Sequence, residues 1–194
     1  MTKAKVILII SSILATGLLG YFGVMAFLGN LQTVPTPNQE VVTKTVEQKV
    51  TQDPHLLAVL KSVGATHTSR LNLSYLTTKE VEGQRGAYNG NTVQVAQGLE
   101  PEQEKRTLAH EYLHYIWYKV MTASKRVDLN EKLETLLAND SAMQERIKRY
   151  IEIDRLNNSE LFSIYCTEST DSYILPILDE CNKYIDRSKL VLTR

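Results

Sequence analysis

The ten residues from Thr107 to Ile116, TLAHEYLHYI, constrain this chain more than any other stretch. On a helix, residues four apart differ by about 40° around the axis and lie one turn apart, so His110 and His114 project from one face. Two imidazoles placed that way can share one zinc ion, with Glu111 beside them as general base toward a water activated there. Such a pair is incomplete by itself. The rest of the chain must fold at least one more donor onto that face.

The surrounding residues read as a helix. Pro101 suits the first helical position, and Glu102 and Glu104 place negative charge at the positive end of the helix dipole. Apolar residues recur at Leu108, Ala109, Tyr112, Leu113, Ile116, Trp117 and Val120, a helical period with a broad buried face. Lys119, Lys125 and Arg126 gather toward or beyond the C-terminal end, where cations are favoured.

The flanks of the H-E-x-x-H motif resemble those of the zincin superfamily of zinc metallopeptidases. Thr107 stands three residues ahead, Leu108, Tyr112, Leu113 and Tyr115 are uncharged, and Ile116 is apolar; no Pro or Gly interrupts, and Glu111 is the one acidic residue. The resemblance implies a zinc-dependent endopeptidase that holds one Zn2+ per chain and acts on a peptide or protein substrate. It also implies three protein ligands, with the fourth position left to water. The metzincin branch would place Gly at 117 and His at 120, where this chain has Trp117 and Val120. No His follows His114, which leaves a carboxylate as third ligand and the gluzincin branch. Glu160, in the sequence ELFS, resembles the E-[FL]-F-[AS] ligand helix of some gluzincins, including lethal-factor-like toxin peptidases. Glu160 is therefore the first choice and Glu168 the reserve. The thermolysin-like pattern also carries an Asp four residues after the ligand Glu, and here that position is Ile164.

Each candidate also has a purely structural reading. Asn157 to Glu160 fits an N-cap followed by a capping-box glutamate. Glu168 fits a solvated surface acid or an outer partner to a ligating histidine. For the oxyanion, Tyr165, Tyr173, Tyr184 and Arg187 are candidates by residue type alone. The stretch Thr92 to Ala96 is expected to serve as the edge strand that pairs with an extended substrate, as such strands do in related peptidases.

The other end of the chain bears on location. Residues 1–5 carry Lys3 and Lys5, and the 23 residues from Val6 to Leu28 carry no charge. At about 1.5 Å per residue that run covers a hydrocarbon core of about 30 Å. The positive flank predicts a cytoplasmic N-terminus, a single-pass membrane anchor at 6–28, and an extracytoplasmic remainder. A cleaved signal peptide is the alternative, with Val24-Met25-Ala26 as cleavage site, and would make the protein secreted. The apolar run is long for such a segment. Residues 29–53, with Pro35 and Pro37, read as a linker. The spacing of Val42, Val46 and Val50 also allows a short helix beside the membrane.

From residue 54 to 194 the chain is long enough for one domain. The pattern predicts a helix over 55–63 started by Asp53-Pro54 and stopped by Gly64, a strand over 70–76, a loop over 82–87, an Asn89-Gly90 turn, and a strand over 92–96. After the H-E-x-x-H helix it predicts a helix over 129–138 opened by a capping box at Asp128 and Glu131, then helices over 141–153, 160–166 and 176–185. The expected fold class is α+β: a mainly helical, minimal zincin-like domain, with a small sheet ahead of the H-E-x-x-H helix and a transmembrane helix before it.

Charge narrows the partners further. Lys plus Arg equals Asp plus Glu at 22 each, and the basic residues are dispersed, so there is no electrostatic footprint for nucleic acid. His55 and His67 read as ordinary surface or strand histidines. Cys166 and Cys181 are the only cysteines and are expected to form one disulfide if the domain is extracytoplasmic; a zinc-ligand role for Cys166 is a minor alternative. A non-catalytic, membrane-tethered binding module on the same fold remains open, as does an interaction protein in which the motif is accidental.

Overall fold

The computed structural model describes residues 50–76, 85–152 and 157–192, with the side chains of 149–152 excepted. The anchor at 6–28, its alternative cleavage site and most of the linker lie outside these residues. Among the described residues the fold is α+β, with six α-helices and one three-stranded sheet. No helix among them is long and apolar enough to cross a membrane.

Helix α1 (Pro54–Ser62) starts where Asp53 accepts a hydrogen bond from Leu56 N at 3.0 Å, and Pro54 sits in its first turn. Gly64 follows the helix with φ +76°, the left-handed conformation that glycine adopts without strain. Leu56 and Leu60, one turn apart, are fully buried. Residues 51–53, read from composition as linker, belong to the fold instead. Leu73 N donates to Thr51 O at 2.9 Å, Asp53 N donates to Leu73 O at 3.0 Å, and Gln52 bridges Leu73 in parallel.

The sheet consists of β1 (Asn72–Tyr75), β2 (Gly86–Asn89) and β3 (Thr92–Val95), in the order β1-β3-β2. β1 runs parallel to β3, and β2 runs antiparallel to it. Gly90, at φ +64°, turns the chain between β2 and β3, as the Asn-Gly pair requires. Two expectations are corrected here. Residues 86–89, half inside the expected loop, form a strand. The segment starting at Thr92 lies in the centre of the sheet, so it has no free edge for a substrate. Residues 51–53 cover the outer side of β1, whereas among the described residues no strand pairs with the outer side of β2. A four-residue strand of Gly, Ala, Tyr and Asn carries too little alternation to be recognised without its partner.

Helix α2 (Pro101–Tyr115) lies against the sheet and against α5 (Asn158–Glu168). Its apolar side, Leu108, Ala109, Tyr112 and Leu113, is fully buried together with Val93 and Val95 of β3 and Phe162, Ile164 and Tyr165 of α5. The helical period was expected to continue to Val120. Instead the backbone widens into a π-helical turn over Ile116–Val120, closed by Met121 N donating to Ile116 O at 2.9 Å. Arg126 supports this turn by donating to the carbonyls of Trp117 at 3.0 Å and Met121 at 2.9 Å.

Helix α3 (Ala123–Asn139) begins six residues earlier than the capping box at Asp128 suggested. Thr122 caps it by accepting from Lys125 N at 3.2 Å, while Asp128 lies inside the helix and pairs with Lys132 at 3.0 Å. A capping-box pattern and an i,i+4 ion pair use the same residue types, and an earlier cap took precedence here. Helix α4 (Ser141–Glu152) follows, with Asp140 accepting from Met143 N at 2.9 Å. Helix α5 is capped by Asn157, which accepts from Glu160 N at 3.0 Å. Helix α6 (Leu178–Tyr184) is tied to α5 by the Cys166–Cys181 disulfide, with Cα atoms 5.4 Å apart. The expected pairing is present, and it removes Cys166 as a metal ligand.

Candidate metal centre

His110 and His114 occupy the last two turns of α2, on the side facing the start of α5 and strand β2. The sequence placed them on one face by spacing alone. What the fold adds is Glu160, whose carboxylate reaches from the first turn of α5 to both rings. His110 Nε2 lies 3.4 Å from Glu160 Oε1, His114 Nε2 lies 3.1 Å from Glu160 Oε2, and the two Nε2 atoms are 3.3 Å apart. These three residues are the group of described side chains that could hold a metal ion, one donor atom from each lying within 4.8 Å of the others. Glu160 is indeed the third residue after an N-cap. Its side chain nevertheless reaches out to the imidazoles.

Glu168 is not part of this group. Its carboxylate pairs with Arg146 of α4. It does contribute negative charge felt at His110, as an acid in the surroundings would.

Burial and charge oppose each other throughout the site. Burial by itself would lower the His110 pKa, but the hydrogen bond and charge of Glu160, with the charges of Glu111 and Glu168, raise it above the usual 6.5. Burial would likewise raise Glu160, yet hydrogen bonds to His110 and His114 and their charges hold its carboxyl far below the usual range. Burial pushes the Glu111 carboxyl up. The two histidines pull it back in part, and Glu160 adds to the rise.

Strand β2 forms the opposite wall. Gly86 and Tyr88 sit opposite Val95 and Val93 and so share the sheet face that packs on α2. At Gly86 the approach is so close that a Cβ would lie 2.7 Å from Glu111 Cγ and Oε1 and from Thr107 Cγ2. Only glycine leaves Glu111 its place. The Tyr88 ring stacks on His114, with centroids 6.1 Å apart and planes 19° apart, and on Tyr118, at 5.9 Å and 3°. Gly86, Tyr88 and Tyr118 were not singled out in the sequence. Tyr118 had a signal, since it extends the i, i+4 series of 110 and 114; the glycine and Tyr88 had none without the strand pairing.

The four expected oxyanion donors fare differently. Arg187 is buried and donates to the carbonyls of Tyr165, Cys166 and Ser169 and to Asp171, tying the chain end to α5. Tyr184 donates to Glu180 Oε1 at 3.0 Å. Both are therefore engaged in holding the fold. Tyr165 is buried in the core and Tyr173 is 58% exposed. His55 pairs with Glu104 at 2.8 Å, and His67 packs near Tyr184 with centroids 5.9 Å apart.

Comparison of the chain with protein-family models, with curated proteins and with solved structures finds no match in any of the three. The centre must therefore be read from its own chemistry.

Proposed function

We propose that this protein is a membrane-anchored, zinc-dependent metallopeptidase of zincin-like, gluzincin type, with His110, His114 and Glu160 as zinc ligands and Glu111 as general base. The observation that carries this reading is the spacing of the three donors. Four ligands about 2.0–2.1 Å from a tetrahedral zinc lie about 3.4 Å from one another. The two Nε2 atoms here are 3.3 Å apart, each lies 3.1–3.4 Å from a different oxygen of Glu160, and two neutral imidazoles with one carboxylate are a donor set that zinc accepts. When bound, zinc supplies a Lewis acid that lowers the pKa of a water and polarises a carbonyl.

The chain's own residues account for the remaining work. Glu111, one residue after His110 and held against Gly86, takes the proton as water attacks the peptide carbonyl and passes it to the departing amine. The outer edge of β2 offers backbone N–H and C=O groups to an extended peptide, which would run past Glu111 and the Tyr88 ring. The strand at Thr92, the expected edge, lies between β1 and β2. Among the described residues no strand pairs with the outer side of β2, and this and its contact with the site favour β2. The extracytoplasmic placement rests on the uncharged run at 6–28 behind Lys3 and Lys5, and a disulfide between α5 and α6 suits an oxidising compartment.

The test begins with metal content. Elemental analysis of the purified chain should give about one zinc per molecule, lost in His110→Ala. Zinc-loaded protein should then cleave a mixed peptide library, and Glu111→Gln should not. A protein that binds zinc without cleaving any peptide would point to a tethered binding module, and one that binds none would remove the metallopeptidase reading.

A further inference from the structure

The His114 ring is held at both nitrogens by consecutive residues of one helical turn. Glu160 Oε2 lies 3.1 Å from Nε2, and on the other side Ser159 Oγ lies 2.7 Å from Nδ1. Ser159 is 1% exposed and His114 9%, so water has little access to this hydrogen bond. Both residues are delivered by the first turn of α5, whose start is held by the Asn157 cap. The Tyr88 ring covers one face of the same imidazole.

We propose that Ser159 is the positioning residue of this centre: its hydroxyl accepts a hydrogen bond from His114 Nδ1–H and thereby leaves the Nε2 lone pair for the metal. The proposal rests on reading the centre as a zinc site. A neutral imidazole carries one N–H, and a metal can take only the nitrogen without it. An outer partner on the second nitrogen therefore decides which tautomer is present, and it also fixes the plane of the ring. The thermolysin-like pattern places an acid at the position four residues after the ligand glutamate. Here that position is Ile164, 1% exposed in the core, and the partner of His114 is a hydroxyl one residue before the ligand glutamate. A hydroxyl orients the ring without adding a negative charge to a group that already holds Glu111 and Glu160. It can also act as donor or acceptor, so it can satisfy Nδ1 in the metal-free and the metal-bound protein by rotating its proton.

The test uses the full chain with Zn2+ alone and compares wild type, Ser159→Ala and Ser159→Thr. Zinc affinity, measured by competition with a chromophoric chelator, should fall about 10–100-fold in the alanine variant and stay within about threefold of wild type in the threonine variant, which keeps the hydroxyl. Long-range 1H–15N spectra of the zinc-loaded wild type should place the His114 proton on Nδ1. A purely packing role would lower the melting temperature of the metal-free alanine variant and leave its zinc affinity unchanged. That result, or a His114 proton on Nε2, would overturn the assignment of Ser159 while leaving the metal centre in place. A wild-type chain that binds no zinc would overturn both.

Discussion

Helices α2 and α5 build the same centre by different means. On α2, His110, Glu111 and His114 fall within little more than one turn, and the common direction of the two histidines follows from helix geometry wherever the helix is placed. On α5, Glu160 and Glu168 are the same residue type on the same helix, eight positions apart. Eight residues amount to about 12 Å along the axis and 80° around it, so one ion cannot take both. The chain uses Glu160 for the imidazoles and Glu168 for Arg146. Local spacing sets two imidazoles side by side. Only the approach of a second helix brings a carboxylate to them.

The largest effect expected on the α2 side is from Glu111→Gln, which should lower peptide cleavage about 10²–10⁴-fold while zinc content stays at the wild-type level. Cleavage assays and elemental analysis on the same preparation check both halves, and loss of zinc would mean that Glu111 acts on the ligands instead. The α5 side divides next. Glu160→Gln should weaken zinc binding by more than the roughly 100-fold that loss of an outer partner can cost, and Glu168→Gln should change it by less than about threefold. Equal losses in a chelator competition would erase the distinction between the two ends of α5.

A smaller effect tests how α5 is anchored. Replacing both Cys166 and Cys181 by serine should cost about 3 kcal/mol in urea unfolding, the amount expected for releasing a loop of this length. Zinc stoichiometry should survive, because the Asn157 cap and the core around Phe162 still place the first turn of α5. The mildest variant, Gly86→Ala, puts a Cβ into Glu111 and should lower cleavage about 10-fold with zinc affinity unchanged, since misplacing a catalytic group costs rate before it costs binding. Wild-type cleavage in that variant would show that β2 yields more easily than its contacts indicate.

Several features were legible because short-range chemistry fixes them. The α1 start at Asp53-Pro54, the Asn89-Gly90 turn, Pro101 at the start of α2 and the Asn157 cap each depend on one or two neighbouring residues. The errors have a common cause. Asp128 and Glu131 fit a cap or a helix interior equally well, and the choice fell to Thr122, outside the pattern. Strand β2 exists because β3 lies beside it, and β3 is interior because β1 reaches its other side. The π-helical turn after Tyr115 depends on Arg126, six residues beyond its last residue, holding the widened carbonyls.

The amino-acid sequence by itself determined that His110 and His114 share one face, with Glu111 next to them, and the helix that carries them, because a period of 3.6 residues converts spacing into direction. It narrowed the acid that could join them to two candidates and named the cysteines that pair. The tertiary structure alone decided which acid faces the imidazoles, which strand lies beside them at the edge of the described sheet, and which hydroxyl meets His114. Those choices depend on distances between segments about 25–50 residues apart in the chain, and such distances are set by packing of the common core.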